Sequence, residues 1–157
     1  VALTPHFLSA LECAKGFIER REHSMFEVRR KLYSRGYEDV VDDVLSSLTA
    51  AGLIDDERYA RSWVTARIGR KAEGRHRLVS ELIKRGVAGS MASIIVAEEL
   101  PAETEQAVLH ASMKTLSEQG YSWSIIVRRL LAKGFSSPAV HRSVAVLSES
   151  NESLMDS

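Results

Sequence analysis

Apolar positions recur along this chain at the spacing of one helical face, and three times the pattern ends the same way. Val28 and Leu32, Leu78 and Leu82, and Ile126 and Leu130 lie eight and four residues ahead of Gly36, Gly86 and Gly134. That spacing sets each pair on one side of a helix. A cation (Arg35, Arg85, Lys133) precedes each glycine and an apolar residue (Tyr37, Val87, Phe135) follows it. A glycine cap with an apolar contact back onto the last turn has this form. The glycines stand 50 and 48 residues apart, so the chain reads as a tandem repeat.

Three helices fit each period. Thr4 is an N-cap with Pro5 at the first helical position, and Phe7, Leu11, Ala14 and Ile18 share a face. Ser24 and Glu27 form a capping box for a second helix that Gly36 stops. A third helix carries Val40, Val41, Val44, Leu45 and Leu48 and ends at Gly52. The next period restarts at Asp55 and Asp56 with Tyr59, Trp63 and Ala66 on a core face, pauses near Gly74, continues to Arg85, and adds a helix through Met91, Ile94 and Ile95 before Pro101. The last begins near Thr104 with Ala107, Ala111 and Leu116, turns at Gly120, and restarts at Ser137 before Val140, Val144 and Leu147.

No segment of strand length alternates cleanly between turn pairs, so the expected fold is all-α. It consists of three tandem three-helix repeats, helix-turn-helix-like, over residues 1–52, 53–101 and 102–148, with a disordered polar tail over 149–157. Units of this size bury little alone and must cover one another, which predicts an elongated body that can curve.

Composition excludes more than it assigns. No apolar run approaches the roughly 20 residues of a membrane span, the opening VALTPHFLSA lacks a basic stretch before an apolar core, and Cys13 is the single cysteine. A cytoplasmic protein is expected. No phosphate loop, HExxH, CxxC or GxSxG pattern is present, and the five histidines lack ligand spacing, His23 before the Ser24 cap reading as a connection between helices. No catalytic residue, cofactor or metal is therefore expected. The acids Asp55, Asp56 and Glu57 open a helix, where they complement its positive end.

Formal charge is zero, yet it is segmented. Lys15 to Tyr37 holds seven cations against Glu19, Glu22 and Glu27, whereas Glu38 to Glu57 holds seven acids and no lysine or arginine. Arg58 to Gly86 returns nine cations against Glu73 and Glu81. A basic band of this kind suits a polyanion. Arg35, Arg85 and Lys133 are equally explained by the helix dipole. Arg29, Arg30 and Lys31 are mid-helix, where solvated face and partner contact are both open. Arg67, Arg70, Lys71, Arg75 and Arg77 cluster around a glycine-containing turn and favour partner contact. Arg61, Lys84, Arg128 and Arg129 complete the candidate set, with Ser24, Glu27, Gly36, Gly52, Gly86 and Gly134 as structural caps.

The wording FIERREHSMFEVRRKLYSRGY, then GLIDDERYARSWVTARI, then RHRLVSELIKRGV resembles the RecX family, bacterial regulators of the RecA recombinase. Its most specific part is Arg21-Glu22-His23-Ser24 followed by Glu27, Leu32 and Gly36, joined in order to Gly52-Leu53-Ile54-Asp55-Asp56-Glu57-Arg58-Tyr59-Ala60. VRRLLAKGF in the third repeat resembles the family more loosely. The resemblance implies a non-enzymatic cytosolic modulator that binds RecA and its filament on single-stranded DNA, lowers strand exchange, ATP hydrolysis and filament extension, and so regulates DNA repair and the SOS response. It implies weak direct DNA binding at most, and neither a membrane nor a small-molecule substrate. The alternative is a helix-turn-helix-like protein acting on DNA directly. Against it, Glu38, Asp39, Asp42 and Asp43 crowd the third helix with charge that DNA repels.

Overall fold

The computed structural model describes the backbone of residues 2–155 and the side chains of residues 2–150. Among them the chain is all-helical: α1 (Pro5–Ile18), α2 (Met25–Tyr33), α3 (Val41–Ala50), α4 (Asp56–Ile68), α5 (Arg75–Lys84), α6 (Gly89–Glu99), α7 (Ala102–Glu118), α8 (Trp123–Ala132) and α9 (Ser137–Met155). Three helices in order make each repeat. α9 continues through the polar stretch read as a tail, of which residues 156 and 157 lie outside the described residues.

Local chemistry sets the helix ends. Thr4 Oγ1 accepts the Phe7 amide at 3.1 Å with Pro5 opening α1, Ser24 Oγ accepts the Glu27 amide at 3.2 Å, and Asp55 Oδ1 accepts the Arg58 amide at 3.0 Å. After α2 the Tyr37 amide reaches back to the Leu32 carbonyl and the Gly36 amide to that of Tyr33. The same pair of bonds follows α5 (Val87 to Leu82, Gly86 to Ile83) and α8 (Phe135 to Leu130, Gly134 to Leu131), as a Schellman turn requires. All three glycines have positive φ, as do Gly52 and Gly120.

The helices gather into two compact units. One holds the residues up to Trp63 with Leu82–Ile95, the other Val64–Glu81 with the residues from Val96 onward. The first has a core of Phe7, Ala10, Ala14, Phe17, Val28, Leu32, Val41, Val44, Leu45, Leu48 and Ile54. The second contains a cluster of Leu109, Met113, Leu116, Ile126, Leu130, Phe135 and Val140. Two expected core positions on α7 are corrected: Ala107 and Ala111 are exposed, and Leu109 and Met113 are buried instead. On α4, Ala66 is exposed and Trp63 half-buried, while Tyr59, Ala60 and Val64 are buried. On α6, Ile95 is buried and Ile94 faces out.

Within each unit the second helix of one repeat is seated on the next repeat by equivalent contacts. In the first, the Met25 amide donates to Asp56 Oδ1 at 2.8 Å, Ser24 Oγ donates to the Arg85 carbonyl at 2.7 Å, and Phe26 lies against Gly86. In the second, the Arg75 amide donates to Glu105 Oε1 at 2.8 Å, the Gly74 amide donates to the Lys133 carbonyl at 2.9 Å, and Arg77 lies against Gly134. At α5 the orphan amides are thus satisfied by carbonyls ending α8 and by one acid, whereas at α2 the acid takes an orphan amide and the Ser24 hydroxyl caps a carbonyl ending α5. The repeated glycine therefore closes one helix and receives another.

Candidate partner-binding surface

The cations that the sequence groups together divide, in the structure, by what they already hold. Around the turn between α4 and α5, Glu73 is buried and accepts Arg67 Nε at 2.6 Å and Nη2 at 3.1 Å, with Arg77 Nε at 2.9 Å. The hydrogen bond from Arg67 holds the Glu73 carboxyl below its usual range against the opposing effect of burial, helped by the charges of Arg67, Arg77 and Lys71. Arg77 also donates to the Ala132 carbonyl at 3.0 Å, and Arg75 Nε donates to that of Leu100 at 2.7 Å. Arg67, Arg75 and Arg77 thus have internal work. Arg70 and Lys71 are exposed and enter no ion pair among the described residues. The acid that organises this turn was visible as Glu73, but the carbonyl acceptors leave no mark in a sequence.

Elsewhere the candidates divide in the same way. Arg29 pairs with Asp42 at 2.7 Å and Arg61 with Glu57 at 2.9 Å, one turn apart on α4. Such exposed pairs contribute about 0 to 1 kcal/mol. Lys84 is exposed near the end of α5. On α8, Arg128 is exposed, and the Arg129 guanidinium stands 4.0 Å from the centre of the Tyr121 ring.

α2 is where unpaired charge concentrates. Lys31 Nζ donates to His23 Nε2 at 2.7 Å and stands 4.8 Å from the centre of the Phe17 ring, which Arg35 approaches at 4.6 Å. His23 is buried, and its Nδ1 donates to the Arg21 carbonyl at 2.9 Å, leaving Nε2 as the acceptor. Burial keeps its pKa below the ordinary histidine value, so the ring is neutral at pH 7. From sequence His23 is only a connector; the structure makes it the support of Lys31. Arg30 lies 5.8 Å from the centre of the Phe26 ring. Arg20, Arg30, Lys31 and Arg35 enter no ion pair among the described residues, whereas Arg21 is held by Glu27 at 3.0 Å.

Among the described residues no group of three or more histidines, cysteines or acids is placed to hold a metal, and no helix is long and apolar enough to cross a membrane.

Comparison with known proteins agrees with the repeat. Residues 10–48 match the first three-helix domain of RecX and residues 55–93 the second. Over 140 residues the chain is 31% identical to Regulatory protein RecX of Treponema pallidum, spanning 88% of this chain and 85% of that one. It is 30% identical over 142 residues to Regulatory protein RecX of Prosthecochloris aestuarii, covering 86% and 91%. The crystal structure of RecX from Lactobacillus salivarius shares the fold at a TM-score of 0.81 over 91% of this chain and 97% of that one, at 20% identity. With two domains matched in order and relatives alike over most of both lengths, this chain belongs to the RecX family of regulatory proteins.

Proposed function

We propose that this protein regulates the RecA recombinase by binding RecA and its filament on single-stranded DNA, chiefly restraining filament extension, ATP hydrolysis and strand exchange, and so tempering DNA repair and the SOS response. It carries no chemistry of its own and acts in the cytoplasm. The observation that carries this reading is the ordered match of both three-helix domains to a family of regulatory proteins. The three-repeat organisation over residues 1–52, 53–101 and 102–148 belongs to the same proposal: each repeat offers outward cations, Arg30 and Lys31, Arg70 and Lys71, Arg128 and Arg129, to a periodic partner.

The test is RecA ATPase on single-stranded DNA with increasing amounts of the protein. Inhibition is expected, and a variant with Arg70, Lys71 and Arg128 changed to alanine is expected to need roughly tenfold more protein, as removal of several interface charges typically costs. These residues hold no internal ion pair, so the fold should survive. Unchanged ATPase and filament extension at saturating protein would refute the reading. Tight binding to one duplex sequence without RecA would replace it with direct DNA recognition.

A further inference from the structure

The outward face of α2 carries an arrangement that recombinase binding does not by itself require. Unrolled at about 100° per residue, Phe26 and Tyr33 share one line, followed in turn by Arg30, Glu27 and Lys31, with Ser34 and Arg35 in the turn that follows the helix. Val28 and Leu32, on the opposite side, are buried. A groove of ≈ 280 Å³ opens on this face, lined by Arg21, Glu27, Arg30, Lys31 and Ser34.

Its charge is lopsided. The lining acid, Glu27, is engaged by Arg21 and by the Tyr59 hydroxyl at 3.4 Å. Burial first, and then the charges of Arg21, Arg35 and Arg20, lower the Lys31 pKa, and Glu27 opposes them. The fold thus holds like charges together with little counter-charge, an arrangement that a bound anion relieves. The groups are also positioned beforehand, Lys31 by His23 and both Lys31 and Arg35 by the Phe17 ring, so binding orders few side chains. The edge of the face presents rings, Phe26 at 40% and Tyr33 at 50% exposure. Cations in a groove beside exposed aromatic rings suit a phosphate joined to a base. An acidic peptide would use the cations and leave the rings without a counterpart.

We propose that this groove is a nucleotide phosphate site: a phosphate of a nucleic-acid single strand, or of a free nucleotide, sits against Arg30 and Lys31 within the field of Arg20 and Arg35, and Tyr33 offers its ring to the base. This goes beyond RecA regulation, because it needs no recombinase, and either reading can fail while the other stands.

The experiment uses the full chain without RecA. A fluorescein-labelled oligothymidylate is titrated at two salt concentrations, with pyrophosphate, ATP and unlabelled strand as competitors. Arg30→Gln with Lys31→Gln is expected to weaken binding at least tenfold at low salt and to reduce the salt slope by about 0.7, the value for one neutralised phosphate on a single strand. Tyr33→Ala should cost about tenfold while Tyr33→Phe binds as the parent does, since the ring and not the hydroxyl stacks. Ser34→Glu, which gives up a hydrogen bond to the Lys31 carbonyl but leaves the Lys31 side chain in place and adds an acid to the groove, should match the double variant, and Arg142→Gln on α9 should change nothing. Competition by ATP and pyrophosphate equal to that of the strand assigns a free nucleotide, and competition by the strand alone assigns a nucleic acid; both support the site. Absence of binding to every probe overturns the proposal, as does unaltered affinity in both the double variant and Ser34→Glu.

Discussion

Gly134→Ala and Gly86→Ala are expected to destabilise the protein about twice as much as Gly36→Ala, although the three glycines share one sequence context. At all three, alanine must adopt a left-handed backbone, with φ of +78° at Gly36, +85° at Gly86 and +90° at Gly134. That alone costs about 1 to 2 kcal/mol. At Gly36 the new methyl group meets open space. At Gly86 it would fall 2.1 Å from Phe26 Cβ, and at Gly134 2.3 Å from Arg77 Cβ and 2.4 Å from the Arg77 backbone nitrogen. Neither neighbour is the loose end of a side chain, so a whole helix start must move. Overpacking of this kind adds about 1 to 3 kcal/mol. In thermal unfolding, about 3 °C per kcal/mol for a chain of this size, Gly36→Ala should lower Tm by about 3 to 6 °C and the other two by roughly 10 °C. Gly134→Ala should be the worst, because backbone cannot rotate away. Equal losses at the three positions would mean that the glycines only end helices and that the seating of one repeat on the next contributes little.

That difference marks what could be read in the sequence. The helices were legible because caps and apolar spacing are local: Thr4, Ser24 and the glycines act within a few residues of themselves. The α7 face was misread because alanine is a weak marker, and Ala107 and Ala111 keep the right period on the wrong side of Leu109 and Met113. Hidden altogether was the second duty of two acids in first helical turns. Asp56 and Glu105 open their own helices, α4 and α7, yet each also accepts an amide at the start of the preceding repeat's second helix, across 31 and 30 residues. Charge was legible as composition and illegible as commitment. Nothing in a basic stretch distinguishes Arg77, which reaches a main-chain carbonyl, from Arg70, which enters no ion pair among the described residues. His23 looked like a connector because its role depends on Lys31, two turns further along α2.

Glu73→Gln should give the other large effect, and it separates structural from partner-binding cations. The carboxylate is 7% exposed and joins Arg67 to Arg77, so a neutral amide removes the buried negative charge that the two guanidinium groups share. Removing one partner of a fully buried pair costs about 3 to 5 kcal/mol; with Arg77 half in solvent, about 2 to 3 kcal/mol is expected in urea unfolding at pH 7. The pH dependence follows from the lowered carboxyl pKa. A carboxyl whose folded pKa lies below its unfolded value, about 4.3, contributes fully above that value and loses its contribution as pH falls through the folded one. The parent should therefore lose stability below about pH 4.3 more steeply than Glu73→Gln, and the two curves should converge in acid. Parallel curves would show that Glu73 is not the titrating group. The same variant frees Arg67 and Arg77 from their acid. If those arginines serve the fold, RecA inhibition measured well below the melting temperature stays at the parent level; if they serve the partner, loss of the acid beside them should strengthen it.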